Sequence, residues 1–344
     1  MRTVRFHEHG DPTVLRLDEI PAPEVGPRQV CVAVNAAALN HLDLWIRGGL
    51  PGLKIPLPHI PGSDAAGIVE AVGHEVTAFK PGDEVVVNPG TSCGQCPACQ
   101  AGRDNLCPSF GIFGETREGV QQEFLVLDVE HLGAKPTNLS FTQAAALPLA
   151  AYTAWHMLVP RANLQPEETL LVLGAGSGVG SFAIQIGRIL GARVIATASK
   201  PEQQVLAREL GADEVLDHRE AGFGKRVKAL TGGRGADVVF EHIGSRTWPD
   251  SLKALAVGGR LVTCGATTGV KAEVNLQHLF YKRQSILGST MGTRKDFEQV
   301  LKLAAQGELK PVIDRSFRFA DAAEAHAYLD TRHGFGKVVL EGWD

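Results

Sequence analysis

From Glu168 onward, segments that look like strands alternate with segments that look like helices. Apolar runs rich in Val, Ile and Leu end in glycine or polar turns, and helical stretches such as Gly180–Leu190 and Pro201–Leu210 follow them. This alternation is typical of an α/β fold, in which crossover helices join the strands of a parallel sheet. The predicted strands are Thr169–Leu173, Arg193–Ala198, Glu214–Leu216, Asp237–Glu241, Arg260–Cys264 and Ser285–Gly288. They suffice for a doubly wound parallel sheet of six strands.

The first 150 residues have a different character, with short β-rich pieces separated by Pro and Gly. A helix is predicted at Arg294–Gln306, and a last strand at Gly336–Leu340 is expected to return to the first domain. A chain of 344 residues suits two domains. The predicted domains are 1–150 together with 293–344, and 151–292. The strands predicted in the first are Val30–Val34, Ala66–Val72, Glu84–Val87 and Glu123–Val126.

A glycine-rich turn, GAGSGVG, directly follows the first strand of the second domain and opens an apolar helix. In this context glycines permit a tight turn and let a pyrophosphate approach the backbone closely. The N-terminus of the helix then points toward the negative charge of the pyrophosphate. The sequence therefore predicts a dinucleotide site at Gly174, Gly176, Gly178, Val179 and Gly180.

The end of the second strand of that domain bears on the choice of dinucleotide. An NAD site usually places an acidic residue there for the ribose hydroxyls. Ala198, Ser199 and Lys200 stand here instead, and they favour NADP(H), with NAD(H) as the alternative. On the plainer interpretation, Lys200 is a solvated loop lysine and selectivity is weak.

Four cysteines follow the spacing C-x2-C-x2-C-x7-C at Cys93, Cys96, Cys99 and Cys107. Such a loop can wrap four sulfurs around one tetrahedral metal ion, and a closed set of four thiolates leaves no position for a substrate. This predicts a purely structural metal site; four incidental buried cysteines are the alternative. Cys31 and Cys264 lie in predicted strands and are interpreted as core residues.

Charge and hydropathy exclude several classes of protein. The net charge of −4 gives no electrostatic footprint for nucleic acid. The polar N-terminus lacks the apolar core of a secretory signal, and no apolar run reaches the roughly 20 residues that span a bilayer. We expect a cytoplasmic protein that acts on a small molecule, with neither nucleic acid nor membrane as a partner.

With the cysteine loop, the glycine turn and the segment EIPAPEVGPRQVCVAVNAAALN, the chain resembles the medium-chain dehydrogenase/reductase superfamily along essentially its full length. The resemblance implies a GroES-like β-rich catalytic domain, a Rossmann dinucleotide-binding domain, and zinc as the metal in a structural lobe at about 90–110. Zinc alcohol dehydrogenases of this superfamily carry a second, catalytic zinc. Their ligand positions align with Asn40, Ser63 and Leu149, none of which can replace a thiolate or imidazole.

The proton-relay positions of those alcohol dehydrogenases hold Leu42 and Trp45. We therefore expect one structural zinc per chain and no catalytic zinc. The alternative is a different metal site built from His41, Asp43, His59 and Asp64, although the spacing of these residues supports no particular metal pattern.

The segment NHLDLWIRGG resembles the zinc-free quinone oxidoreductase branch, although that branch usually lacks the cysteine lobe. The predicted function is an NADPH-dependent oxidoreductase that transfers hydride to a quinone or conjugated carbonyl. The alternatives are a zinc-type alcohol dehydrogenase and a nicotinamide-binding protein without enzymatic activity.

The resemblance also implies roles for single residues. On the substrate side, Asn40 is expected to donate to the acceptor oxygen, with Asp43 and Trp45 shaping the pocket; Asp43 could instead simply accept from backbone donors. No side chain is an obvious general acid, so the second proton is assigned to water. Homodimers or homotetramers are expected through the edge strand Ser285–Gly288. The residues expected to contact the cofactor, besides the glycine turn, are His41, Thr153, Ser199, Lys200, Ile243, Gly244, Gly265, Ala266 and Lys337.

Overall fold

The computed structural model describes residues 1–50, 52–220, 222–331 and 334–343. The chain divides into two compact units. Unit 1 comprises Met1–Leu149 and Thr293–Asp344, and unit 2 comprises Ala150–Gly292.

The strands occur in both units. In chain order they are β1 Arg2–Phe6, β2 Leu15–Glu19, β3 Gln29–Ala38, β4 Asp64–Val72, β5 Glu84–Val87, β6 Gly90–Thr91, β7 Gly111–Ile112, β8 Phe124–Asp128, β9 Leu132–Ala134, β10 Thr169–Val172, β11 Arg193–Thr197, β12 Glu214–Leu216, β13 Ala236–Glu241, β14 Leu255–Thr263, β15 Ser285–Gly288, β16 Ile313–Phe317 and β17 Lys337–Glu341.

Helices also occur in both units. In chain order they are α1 His41–Gly48, α2 Pro97–Gln100, α3 Phe141–Ala145, α4 Pro148–His156, α5 Gly178–Ile189, α6 Pro201–Glu209, α7 Phe223–Leu230, α8 Trp248–Ala254, α9 Leu276–Tyr281, α10 Arg294–Ala305 and α11 Ala322–Asp330. Among these described helices, none combines the length and the apolar character that a membrane crossing requires.

Unit 1 is built on a sheet in the order β16-β17-β3-β4-β5-β9, with β8 also paired to β3. The long strand β3 is antiparallel to β4, β8 and β17. The buried side chains of this sheet form a core that includes Val32, Val85 and Leu125, and Phe6 of β1 packs into it. The predicted return of the C-terminal strand to the first domain is confirmed, since β17 pairs with β3.

Unit 2 is a parallel sheet of six strands in the order β12-β11-β10-β13-β14-β15. This confirms the predicted Rossmann fold. The strand β10 is buried throughout, as a central parallel strand covered on both faces must be. Several predicted boundaries are wrong. Strands β10 and β11 each end one residue earlier than predicted, and β14 begins at Leu255 and ends at Thr263, so Cys264 lies just beyond the strand that was expected to contain it.

Candidate active site

The substrate-side residues cluster in unit 1 where three elements meet. Asn40 directly precedes α1, Asp64 opens β4 and Lys337 opens β17. All three side chains are buried. The register of the sheet explains the meeting, because Ala38 of β3 pairs with Asp64 on one side and lies next to Val339 of β17 on the other.

Asn40, Asp64 and Lys337 form one connected polar cluster. The Nδ2 of Asn40 donates to Asp64 Oδ2 at 2.9 Å, and the Lys337 Nζ donates to Asn40 Oδ1. The Lys337 ammonium also forms an ion pair with Asp64 Oδ2 at 3.1 Å. The second carboxylate oxygen of Asp64 accepts from the backbone N–H of Leu149 at 2.8 Å.

The two charged neighbours fix the orientation of the Asn40 amide. An ammonium group only donates, and a carboxylate only accepts. The amide oxygen of Asn40 must therefore face Lys337 while its NH2 group faces Asp64. One N–H of that group remains after the bond to Asp64, and no partner for it is found among the described residues.

Asp43 accepts from the backbone N–H of Asn40 at 2.8 Å, through Oδ2. The carboxyl group is buried, and loss of hydration raises its pKa to about 7. Its bond to Asn40 N and the attraction of Lys337 oppose this rise, whereas the negative charge of Asp64 adds to it. The structure thus gives Asp43 the backbone-accepting role that the sequence left as an alternative, at the start of α1.

The other two positions aligned with catalytic zinc ligands are also engaged in protein contacts. Ser63 is fully buried, and its hydroxyl donates to the carbonyl of Phe113 at 2.7 Å. Leu149 contributes its backbone N–H to Asp64 and has no side-chain donor atom. The donor chemistry at Asn40, Ser63 and Leu149 therefore does not fit a zinc ion.

Trp45 and His41 lie on one face of α1. Their ring centroids are 6.4 Å apart, and the Trp45 side chain is partly exposed. His59, by contrast, is buried, and its Nε2 is bonded to the carbonyl of Gly114 at 3.1 Å. The Nε2 of His59 is therefore engaged by the backbone. His59 does not cluster with His41, Asp43 and Asp64 as a metal site among the described residues.

The four clustered cysteines of unit 1 do fit a metal ion. Their sulfur atoms all lie within 4.8 Å of one another. The Sγ atoms of Cys96 and Cys99 are 3.5 Å apart, and those of Cys93 and Cys99 are 3.9 Å apart. Zinc–sulfur bonds of about 2.3 Å in a tetrahedron place the sulfurs about 3.8 Å apart. The spacing thus matches a tetrathiolate zinc site.

Backbone N–H groups also point at these sulfurs. The N–H of Cys96 donates to Cys93 Sγ and that of Ser109 to Cys107 Sγ, at 3.4 and 3.3 Å. Such bonds favour the thiolate, and the N–H groups of Gln95 and Cys96 lower the pKa of Cys93 to about 6. The thiolate is the form of cysteine that binds metal.

In unit 2, the glycine turn between β10 and α5 has the geometry of a phosphate cradle. Gly174 has a φ of +64°, which favours glycine. A Cβ on Gly180 would come within 2.3 Å of the Gly174 carbonyl oxygen, so only glycine permits this close approach. Ser177 caps the helix by accepting from Gly180 N at 2.9 Å.

His242 fastens the turn from the neighbouring strand end. Its Nε2 is bonded to the carbonyl of Leu173 at 2.8 Å and lies 3.1 Å from the Ser177 hydroxyl. Burial lowers the pKa of His242, so the neutral ring makes these bonds. The sequence did not single out His242; its position one residue after β13 was the only available signal.

The remaining predicted cofactor residues of unit 2 gather at the carboxyl ends of the strands. A Cβ on Gly244 would lie 2.9 Å from the Cα of Ala266, so the turn after β13 packs directly on the turn after β14, where Gly265 also lies. The buried carboxylate of Glu241 accepts from the N–H groups of Ile243 and Gly244 at 2.7 and 3.1 Å. Thr153 lies on α4, buried against Met291.

Lys337 is the predicted cofactor residue whose placement differs most from its expected role. The sequence predicts a contact with the pyrophosphate, but the structure directs its ammonium group to Asn40 and Asp64 within unit 1. The pyrophosphate contact stays a prediction. Asp64, the partner of Lys337, was considered from the sequence only as a metal ligand.

Two family models match the chain. Residues 26–137 match the alcohol dehydrogenase GroES-like domain, and residues 178–306 match zinc-binding dehydrogenase. The quinone oxidoreductase of Rattus norvegicus is 34% identical over 98% of this chain and 96% of its own length. The chain belongs to the medium-chain dehydrogenase/reductase superfamily.

Two solved structures of the superfamily are also similar. A crystal structure of an NAD-dependent alcohol dehydrogenase has a TM-score of 0.97 at 47% identity and covers 99% of this chain and 100% of its own. A crotonyl-CoA carboxylase/reductase in complex with NADP has a TM-score of 0.92 at 28% identity and covers 99% and 94%. The predicted superfamily and the prediction of an oxidoreductase are confirmed, and the alternative of a protein without enzymatic activity has no support.

Proposed function

We propose that this oxidoreductase reduces quinones or conjugated carbonyl compounds with NADPH, and that it holds one structural zinc and no catalytic zinc. The observation that carries the proposal is the Asn40–Asp64–Lys337 cluster. In this cluster Asn40 stands where the alcohol dehydrogenases have a zinc ligand. Its amide is oriented by Asp64 and Lys337, which leaves one N–H for a substrate oxygen.

The chemistry follows from the acceptor. Bound NADPH would supply a hydride for an electron-poor carbon of the acceptor, whose conjugated electron pair would then move onto the carbonyl oxygen. The Asn40 N–H stabilises this oxygen as its negative charge develops, since a fixed donor in a dry site costs little reorganisation. The oxygen then takes a proton from water. Because conjugation activates the acceptor, no metal ion is required at Asn40.

NADPH as the donor is supported by Ala198, Ser199 and Lys200, which follow β11 without an acidic side chain. The NADP complex of the related crotonyl-CoA carboxylase/reductase supports the same choice.

The experiment joins a metal count to a turnover screen. We expect about one zinc per chain by elemental analysis, and oxidation of NADPH, followed by its absorbance, with members of a quinone and enone panel. Asn40→Ala should lower kcat/KM by roughly 100-fold or more, as loss of an oxyanion donor does. Asn138→Ala removes an amide bonded to the Ala304 carbonyl elsewhere in unit 1 and serves as the control. An inactive wild type across the panel would refute the proposal.

An alcohol dehydrogenase is the second candidate, and the similarity to the NAD-dependent alcohol dehydrogenase structure favours it. A zinc-dependent form predicts two ions per chain and alcohol-dependent reduction of NAD+. A single ion that is unchanged in an Asn40→Ala, Ser63→Ala double variant, with no alcohol turnover, would exclude it.

We also propose that the protein forms a homodimer or homotetramer through the β15 edge of unit 2. This edge strand has no further partner among the described strands of its sheet. Large apolar side chains are exposed on the nearby α9, and Tyr281 is 80% exposed. Phe280→Glu is expected to lower the mass measured by light scattering, whereas the control Val205→Lys on α6 should not. A monomeric wild type would contradict the proposal.

A further inference from the structure

Three chain segments lie side by side at the carboxyl ends of the unit 2 strands β10, β11 and β12. Strand β11 lies between β10 and β12, and its last residue, Thr197, pairs with Leu216 of β12. The Ala198 N–H donates to the Leu216 carbonyl at 2.9 Å. On the other side, the N–H of Gly174 donates to Thr197 Oγ1 at 2.9 Å. The glycine turn, the segment 198–200 and the segment 217–219 are therefore neighbours.

The side chain of Arg219, in the segment 217–219, contacts the segment 198–200. Its Nη2 donates to the carbonyl of Ser199 and, at 2.7 Å, to Asp217 Oδ2. Its Nε lies 3.1 Å from both carboxylate oxygens of Asp217. No partner of the Nη1 group is found in the part of the chain that the structure describes. The guanidinium is thus fixed against the Ser199–Lys200 turn with one nitrogen left to donate.

The carboxylate of Asp217 accepts hydrogen bonds from the Arg219 side chain. It also accepts from the Arg219 backbone N–H at 2.8 Å, and the bonds from Arg219 lower the pKa of its carboxyl group. Asp217 therefore offers little to a ribose hydroxyl, although it follows a strand in this region. His218 lies between the two, and burial lowers its pKa, so it adds no charge at neutral pH.

We infer that Arg219, together with Lys200, recognises the 2′-phosphate of NADP and sets the preference for NADP over NAD. The inference rests on the proposed use of NADPH and adds a specificity residue from beyond β12, one strand away from the segment that the sequence indicated. A planar guanidinium suits a phosphate group because it presents several N–H donors in a fixed geometry. With both Lys200 and Arg219 present, the turn carries two cations against the one neutralised carboxylate of Asp217.

The test uses cofactor fragments, so that it does not depend on turnover. Binding of 2′,5′-ADP and of 5′-AMP is measured by isothermal titration calorimetry for wild type, Arg219→Ala and Arg219→Lys. Arg219→Ala should weaken 2′,5′-ADP roughly 10- to 100-fold, as loss of a charge-assisted bond does, and leave 5′-AMP within about twofold. Arg219→Lys should fall between, since lysine keeps the charge but loses the planar group.

Arg193→Ala is the matched control. Arg193 is also an exposed arginine, and it donates to the backbone carbonyl of Leu230 at 2.9 Å. It is the first residue of β11, so it lies at the amino-terminal end of the strand, away from the Ser199–Lys200 turn. It should leave both fragments unaffected. Thermal unfolding of each variant shows that the fold is retained.

Two outcomes would overturn the inference. In one, Arg219→Ala weakens both fragments equally or neither; in the other, the wild type binds 2′,5′-ADP no more tightly than 5′-AMP. Failure of the proposed reductase activity is a separate result, since it would leave the fragment preference intact while no quinone or enone is turned over.

Discussion

The Asp64–Lys337 pair makes a sharp prediction for Lys337→Met. Both side chains are buried, with side-chain exposures of 4% for Lys337 and 0% for Asp64, so water cannot replace the ammonium group when it is removed. Asp64 would keep its bonds from Asn40 and Leu149 but lose its compensating charge. Breaking a buried ion pair on one side typically costs about 3–5 kcal/mol.

That loss should be visible as a large fall in Tm. For a unit of this size, 1 kcal/mol corresponds to roughly 2–4 °C, so Lys337→Met should lower the Tm of unit 1 by roughly 6–20 °C. Differential scanning calorimetry is the assay, because it can separate the transitions of the two units. Arg318→Ala is the control: the exposed Arg318–Asp321 pair should contribute less than about 1 kcal/mol.

The double variant Asp64→Asn, Lys337→Met distinguishes an uncompensated charge from lost packing. Removing both charges should cost less than Lys337→Met alone, because the amide oxygen introduced by Asp64→Asn can still accept from the Leu149 N–H without a buried charge. A Tm shift of Lys337→Met below roughly 2 °C, or a double variant that loses the sum of the two single changes, would refute the reasoning.

Three further predictions concern the metal, the acidic group and the glycine turn. Cys107→Ser should release zinc, measured with a chromogenic chelator, and lower the Tm, whereas Cys31→Ser should keep the metal; retention of zinc in Cys107→Ser would contradict the site. The raised pKa of Asp43 means that the native state binds its proton more tightly than the unfolded chain, so this residue costs stability as pH rises from about 4 to about 7. Asp43→Asn should therefore gain Tm relative to wild type at about pH 8 compared with about pH 5, and an equal difference at both values would contradict this. Gly180→Ala should abolish dinucleotide binding in calorimetry, since its Cβ would collide with the Gly174 carbonyl; unchanged affinity would show that the turn can adapt.

Much of unit 2 could be predicted from the sequence because its signals are local. A buried strand, a glycine turn and an amphipathic helix follow one another within about twenty residues, and each confirms the next. Capping explains one shifted boundary, since α5 begins at Gly178 because Ser177 accepts from the N–H of Gly180. The start of β14 shifted further, to Leu255. The cysteine cluster could also be predicted, since the short spacing of the four residues in the chain brings their sulfur atoms together.

The polar cluster of unit 1 could not be found in this way. Asp64 and Lys337 are 273 residues apart in the chain, and they meet only because β4 and β17 both pair with β3. The same holds for Arg219, which reaches Ser199 because β12 pairs with β11. Sheet order is a property of the whole fold, so no local pattern reveals which strand ends are neighbours.

The charge balance of the cluster explains why Asn40 is more than a lost zinc ligand. Asp64 and Lys337 neutralise each other, and the amide adds a donor and an acceptor without adding charge. A thiolate at this position would place a second negative charge beside Asp64, close to an Asp43 carboxyl group whose pKa burial already raises. Without a bound cation the thiol would stay protonated, and a cation would lack ligands because Ser63 is committed to the Phe113 carbonyl and Leu149 has no ligand atom in its side chain. Asn40→Cys alone should therefore destabilise unit 1 without creating a second zinc site, and a metal count that rose above one per chain would show that the pocket can still accept a catalytic ion.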